Sequence, residues 1–476
     1  MNKLLLGLVM VVGLVGCTMT PRYERPQPTV ADAWPQPGLA TGSSSNELVT
    51  ADIGWRDFFR DAQLQRLLEV ALTNNSNLRL AMLNVAAYQA RYRIQRNELI
   101  PVVNLNAGGS RQRAVNGFAG TTGPVTYSQY YANLGMASYE LDLFGRVRSL
   151  KGEALERYFA AEETQRSAQI ALIAEVSGAY LTRRELMEQL AVAQQTLAAV
   201  QRAYDLTKAS YDVGTVSELD FRMTEAQVET ARANMAGFEQ QLAQQENYLV
   251  FLLSQPLPAD LPPAAPFEEQ LGFPNVPAGL PSDLLQRRPD ILAAEHELKA
   301  ANAVIGAARA AFFPTITLTG SAGFSSTDLE NLFVPGSRVW SFAPQLQWPI
   351  FAIGTMRAGL DASKVSKLIE VQNYQQAIQT AFREVADALA AQKTIQTQLA
   401  ANQALVQAEQ RRFELADARF RHGVDSYLNV LTAQQALYSA QQNLIRARYA
   451  HGFNLINLYQ ALGGGWQEYT HTAAAE

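Results

Sequence analysis

Four short stretches of this chain alternate apolar and polar side chains with a period of two, and the long tracts between them are patterned for helix. In the first half, Val103, Leu105 and Ala107 alternate with Asn104 and Asn106, and Tyr130, Ala132, Leu134 and Met136 alternate with Gln129, Asn133 and Gly135. In the second half, Ile316, Leu318 and Ala322 alternate with Thr315, Thr317, Thr319 and Ser321. Trp340, Phe342, Leu346 and Trp348 then alternate with Ser341, Ala343, Gln345 and Gln347. Successive strand residues point to opposite faces, so these runs predict strands with one apolar and one polar face. They group into two hairpins, at about 102–141 (loop around 114–126) and about 315–348 (loop at 325–338). Alternating strands of roughly ten residues with aromatics toward their ends are the pattern of a membrane β-barrel. Two surface hairpins of a soluble sheet are the alternative.

The remainder predicts helix on a large scale. From Trp55 the apolar positions Leu64, Leu67, Leu68, Ala71, Leu72, Leu78, Met82, Val85 and Ala86 fall three and four apart, a helix ended by Pro101. No proline occurs between Pro124 and Pro256 or after Pro349, and both tracts are dense in Ala, Gln, Glu, Arg and Leu. Phe144 to Asp212 would span roughly 100 Å as helix, and Gly354 to Arg421 is of similar length. Gly214 and Gly423 interrupt these tracts before new periodic runs, Leu219 to Leu253 and Leu428 to Leu462. Both read as reversals between antiparallel helices, with glycine in the left-handed position after the helix end. Runs of this length predict coiled-coil-type packing. Residues 254–283 form a Pro-rich linker, and 467–476 read as a loose tail.

The two halves repeat one another. Gly145-Arg146-Val147-Arg148 recurs as Gly354-Thr355-Met356-Arg357, Glu175-Val176 as Glu384-Val385, and Gly214 with Leu219 as Gly423 with Leu428, all at an offset of 209. Leu99-Ile100-Pro101 recurs as Phe312-Phe313-Pro314, shifted by 213. The chain is therefore read as an internal two-fold repeat, 55–253 and 284–466, each copy a hairpin followed by a long helical pair. The copies diverge at their turns, Val-Gly-Thr-Val-Ser-Glu in one and His-Gly-Val-Asp-Ser-Tyr in the other. The second is the expected place for a moving gate.

Lys3, the apolar run from Leu4 to Gly16 and Cys17 describe an exported protein: 1–16 a signal peptide, 17–54 a lipid-anchored tether. Cys17 is the only cysteine, which excludes disulfides and cysteine-based metal clusters, and it closes a stretch resembling a bacterial lipobox. Thr18 after it, in place of Asp, points to outer-membrane sorting. Loss of Lys3 with the signal takes the net charge from −5 to −6, which argues against nucleic acid. No later stretch approaches 18 uninterrupted apolar residues, so any spanning part must be β. Four strands cannot close a barrel, and an open sheet in lipid leaves two rows of unsatisfied backbone groups. The chain must therefore pair with other copies through its edges. Two copies would give a filled barrel and three could leave a lumen.

Four segments resemble the outer-membrane factor (TolC/OprM-like) family, in particular the lipoprotein channels of resistance-nodulation-division (RND) multidrug pumps. They are Tyr139-Glu140-Leu141-Asp142-Leu143-Phe144-Gly145-Arg146-Val147-Arg148, Arg287-Arg288-Pro289-Asp290-Ile291, Ala307-Ala308-Arg309-Ala310-Ala311-Phe312-Phe313-Pro314 and Ala461-Leu462-Gly463-Gly464-Gly465-Trp466. The resemblance covers residues 17–466 and implies a mixed α/β membrane protein: a homotrimer with a 12-stranded outer-membrane β-barrel, four strands per chain, continued by a periplasmic α-helical barrel. It implies a periplasmic adaptor and an inner-membrane RND transporter as partners, and no cofactor, the energy being the transporter's proton gradient. It places adaptor docking at Val213, Gly214, Thr215, His422, Gly423 and Val424, and a periplasmic gate at Arg419 and Leu428. Asp425 and Asp220 are the carboxylates near the tip, and Asp425 is read with Arg419 and Leu428 as part of the gate. Asp425 reads equally as the cap of the following helix. Thr432 and Phe420 depart from the family, which has aspartate and tyrosine there.

Catalysis finds no support, since His296, His422, His451 and His471 lack metal-ligand spacing and no phosphate loop or nucleophile elbow occurs. A duct for metal ions or secreted proteins, and a structural envelope lipoprotein without a pore, are the alternatives; the alternating hairpins argue against the last. If Cys17 is the acylated residue, cells fed labelled palmitate will label the wild-type protein and not Cys17→Ser. Equal labelling of both would remove the lipoprotein assignment.

Overall fold

The computed structural model describes residues 18–28, 30–31, 34, 50–114, 124–263 and 281–470. The signal peptide, Cys17 and most of the tether, of the first hairpin's loop and of the Pro-rich linker lie outside the described residues. The chain divides into two compact units: one made of Asn84–Ala161, Ala293–Tyr374 and the chain start to Gln27, the other of Pro28–Leu83, Glu162–Leu292 and Gln375–Glu476.

The first unit holds one antiparallel sheet in the order β1 (Val103–Ala114), β2 (Val125–Glu140), β3 (Thr315–Ser326) and β4 (Arg338–Gln347). Its register joins the alternating residues into rows. Leu105 faces Leu134, which faces Ala322, which faces Trp340; Val103, Met136, Gly320 and Phe342 form the adjacent row. This apolar face is bare, with Leu105 76% and Trp340 79% exposed. The other face carries Asn106 bonded to Asn133 at 3.3 Å and Ser321 to Ser341 at 2.8 Å. A bulge between Met136 and Tyr139, with Ser138 at φ 53°, inserts one residue and brings Tyr139 opposite Leu318 on the apolar face. Without that extra residue every later side chain of β2 would point to the wrong side. Within the sheet, β1 and β4 each have only one neighbouring strand.

The start of the chain is extended, as composition predicts, but residues 19–25 are not a free tether. The Thr20 hydroxyl meets Ser149 at 3.0 Å over Gly306, and Asn302 donates to the carbonyl of Pro21 at 2.8 Å. Buried Glu295 receives Arg25 and the Tyr23 hydroxyl. A carboxylate taken out of water needs such partners, and the segment supplies them.

In the second unit the periodic tract after Trp55 is not the single helix expected. It breaks into α1 (Trp55–Phe58), α2 (Ala62–Asn74) and α3 (Ser76–Asn97), the last continuing into the first unit. Asp61 caps α2 by accepting from the backbone of Gln63 and Leu64, and Asn75 restarts the chain by accepting from Leu78. A side chain that offers the backbone an alternative bond ends a helix even where the apolar spacing continues. Gln467 to Thr470, read above as loose, are held: Trp55 and Arg56 donate backbone bonds to Gln467 and Glu468, and Thr470 donates to Asp57.

Tyr459, on the last helix, centres this unit's core. It is 2% exposed, stacks on Phe58 at 3.9 Å, meets Phe59 edge-on and donates to the carbonyl of Ile53 at 2.6 Å. Beside it, buried Arg288 binds Asp290, Glu384 and the carbonyl of Ala461. The triple glycine therefore has a packing role: a Cβ on Gly464 would lie 2.3 Å from the Tyr459 ring, which Phe58 prevents from moving aside. Gly464→Ala will cost about 1–3 kcal/mol of thermal or denaturant stability. Gly237→Ala, at a helical position with nothing within 4 Å, will be neutral or stabilising by up to about 1 kcal/mol. Equal melting of the two variants would contradict this core.

Candidate functional site

Two helical reversals of the second unit form the site. The first joins α4 (Arg146–Asp212) to α5 (Glu218–Leu253); the second joins α8 (Ile353–Arg421) to α9 (Tyr427–Ala461). Their backbones match. Gly214 at φ +77° donates to Tyr211 and Thr215 donates to Ser210; Gly423 at φ +71° donates to Phe420 and Val424 to Arg419. This is the paired-bond closure of a helix end whose middle residue must be left-handed, hence glycine at both places. Open space surrounds both glycines, and Val213 and Val424 are 74% and 61% exposed. The two segments Val213–Thr215 and His422–Val424 thus present bare backbone and one apolar side chain each.

The turns differ in what clamps them. In the first, Ser217 caps α5, accepting from the backbone of Asp220 and donating to its carboxylate at 2.7 Å. In the second, Ser426 holds the cap position, so Asp425 is not the helix cap. The Asp425 carboxylate instead takes two bonds from the Arg419 guanidinium, Nε to Oδ2 at 2.6 Å and Nη2 to Oδ1 at 3.2 Å. That pairing closes a loop across the reversal, from the last turn of α8 to the residue before the Ser426 cap of α9. The hydrogen bond from Arg419 holds the Asp425 carboxyl below the usual carboxylate range. Neither Asp425 nor Asp220 is a free carboxylate here.

Leu428, in the first turn of α9, is 55% exposed. With Leu431, Thr432 and Gln435 it lines a cavity of about 270 Å³ against Met223, Ala226, Gln227 and Thr230 of α5. Thr432 donates its hydroxyl to the carbonyl of Leu428 at 2.8 Å, so its side chain is satisfied within α9. A larger cavity of about 700 Å³, lined by Glu185 and Gln189 of α4, Gln241 and Gln245 of α5, and Gln442 and Arg446 of α9, lies further along the same helices. Burial raises the Glu185 carboxyl above its ordinary value.

Sequence reasoning missed the aromatic pairs behind each turn. Tyr211 stacks on Phe221 with centroids at 5.0 Å, and Phe420 packs on Tyr427 at 5.1 Å. Tyr211 and Phe420 share the repeat offset, a signal that was available, but their partners do not correspond. Cys17 lies outside the described residues.

Comparison with known proteins agrees with this architecture. The model of the outer membrane efflux protein family matches residues 67–255 and 280–464. The toluene efflux pump outer membrane protein TtgC of Pseudomonas putida is 48% identical over 477 residues, covering 99% of this chain and 98% of the relative. The outer membrane protein OprJ of Pseudomonas aeruginosa is 42% identical over 462 residues, 97% and 96% of the two chains. Among solved structures, the open state of the Neisseria gonorrhoeae MtrE outer membrane channel superposes with a TM-score of 0.86 at 41% identity, over 96% of this chain and 100% of that one. A long-helix chain with a four-stranded sheet, aligned nearly end to end with such relatives, belongs to the outer membrane efflux protein family.

Proposed function

We propose that this chain is the outer-membrane duct of a tripartite pump that expels toxic small organic molecules. The observation that carries the reading is the open four-stranded sheet, with an apolar face bare from Val103 to Leu346 and an edge strand on each side. Such a sheet is stable in lipid only when its edges are paired. Three copies would supply twelve strands around a lumen, lined by the face that carries Asn106, Asn133, Ser321 and Ser341, with the long helices of the three chains forming a second barrel in the periplasm. Residues 1–16 are the signal peptide and Cys17 the acylated residue. The segments 55–253 and 284–466 are the two repeats, joined by the linker 254–283. A periplasmic adaptor docks at Val213–Thr215 and His422–Val424, and an inner-membrane RND transporter supplies the energy. Relatives named for toluene and antibiotics support organic cargo.

The second reversal is the gate. Leu428 narrows the periplasmic mouth, and the Arg419–Asp425 pair holds the turn that carries it. Adaptor contact breaks this pair and lets α8 and α9 splay. Removing the tie or trimming the constriction will therefore raise conductance of the reconstituted channel. Arg419→Ala and Leu428→Ala channels that conduct no better than wild type would end this assignment.

The same pair sets a pH expectation. A carboxylate whose value is lowered in the folded state contributes at neutral pH, and that contribution is lost only as pH falls through the lowered value. The conductance gap between wild type and Arg419→Ala will then stay constant between about pH 5 and 8 and close only in stronger acid. A gap that closes near pH 6 would show that another group holds the gate.

A further inference from the structure

The apolar face of the sheet changes character at one end. Following the pairing outward from Leu105, β1 places Ala107, Gly109, Arg111 and Arg113 on that face, and β4 begins on it with Arg338, opposite Phe324. The Tyr130 ring covers Gly109 on the same side, so the sequence there runs from aliphatic to aromatic to cationic. Arg111, Arg113 and Arg338 are exposed, and among the described residues no carboxylate lies within ion-pair distance of them. These residues sit at the strand ends remote from the helices, since α7 (Pro289–Ala310) leads into β3 at Thr315 and β4 leaves for α8 at Gln347.

The β3–β4 loop adds a second, independent observation. It is folded: Leu332 is buried, and the buried Ser337 hydroxyl bonds back to the carbonyls of Leu332 and Val334. It does not turn over the polar face. The ring of Phe333 packs edge-on against Phe324 at 5.4 Å, and Phe324 belongs to the apolar face by register. Phe333 is 70% exposed, and Leu329 and Val334 are bare as well. The loop thus extends the apolar face beyond the strand end, beside the start of β4 and its arginine.

We propose that this rim is a binding site for a phosphate-bearing lipid of the outer leaflet, the lipopolysaccharide of the outer membrane. Leu329, Phe333 and Val334 enter the acyl boundary, and Arg111, Arg113 and Arg338 bind the phosphates above it. Two features of the chemistry fit this occupant. Arginine presents forked donors that match phosphate oxygens, and an arginine on a lipid-facing surface is tolerable only near the interface. A folded loop carrying apolar residues on the same side gives continuity with the apolar face, which the function proposed above sets in the membrane. The inference rests on that placement of the sheet, and the test separates the two.

The full-length channel, extracted in mild detergent, is analysed by native mass spectrometry after incubation with lipopolysaccharide or with phosphatidylglycerol. Wild type is expected to retain lipopolysaccharide in preference to the glycerophospholipid. The combined variant Arg111→Gln/Arg113→Gln/Arg338→Gln will lose that retention by about tenfold or more, while Arg338→Lys alone keeps most of it. Phe333→Ser/Leu329→Ser will weaken retention with the arginines intact. Conductance of each variant in planar bilayers reports membrane insertion separately: a variant that conducts like wild type has kept its sheet in the membrane. Equal lipopolysaccharide retention by wild type and the triple variant would overturn the proposal, as would equal retention of phosphatidylglycerol by wild type.

Discussion

Every backbone N–H and C=O placed in lipid must find a protein partner, and one chain of this protein cannot provide them all. Its sheet has four strands, with β1 and β4 at the edges. Each unpaired group in hydrocarbon costs several kcal/mol, so an exposed edge of ten residues outweighs the stability of an ordinary domain. This cost makes assembly obligatory for a membrane-embedded sheet, while the face with Leu105 and Trp340 can stay bare in the chain because lipid would cover it. The bulge at Ser138 answers a different demand, keeping the apolar residues of β2 on one side where the strand meets the helical tract.

The reversals solve a different problem with the same backbone logic. Two long helices must end and turn where side chains are exposed, and both ends use glycine to satisfy their last carbonyls. Once the backbone is closed in the same way, side chains are left to distinguish the turns. One is clamped by a serine cap and a Tyr–Phe stack; the other has a Phe–Tyr contact and an ion pair that spans the turn. An exposed ion pair of this kind contributes little to stability. That makes it suited to a contact that opens easily, and ill suited to holding the fold.

Much of this was legible in the sequence because it follows from periodicity. The alternation around Leu105, Leu134, Leu318 and Phe342 falls on the observed strands, and proline-free tracts on the long helices. What periodicity does not encode was missed. Asp61 and Asn75 break a tract whose apolar spacing is uninterrupted, because a local side-chain bond competes with the helix at single positions. The Arg419–Asp425 pairing depends on how a turn folds back, so a spacing of six carried no signal. Glu295 looks like one more surface glutamate until Tyr23 and Arg25, some 270 positions away, are seen to cover it. Nothing in the run Gly463-Gly464-Gly465 announces the tight fit of Gly464 against Tyr459, because the contact depends on how the chain turns back on its last helix.

A sheet that is one third of a barrel fixes the number of chains in the folded complex. Light scattering of the detergent-solubilised, full-length protein, corrected for bound detergent, is predicted to give three chains per particle, with no smaller folded species on dilution. A folded monomer or dimer with its strands intact would contradict the account.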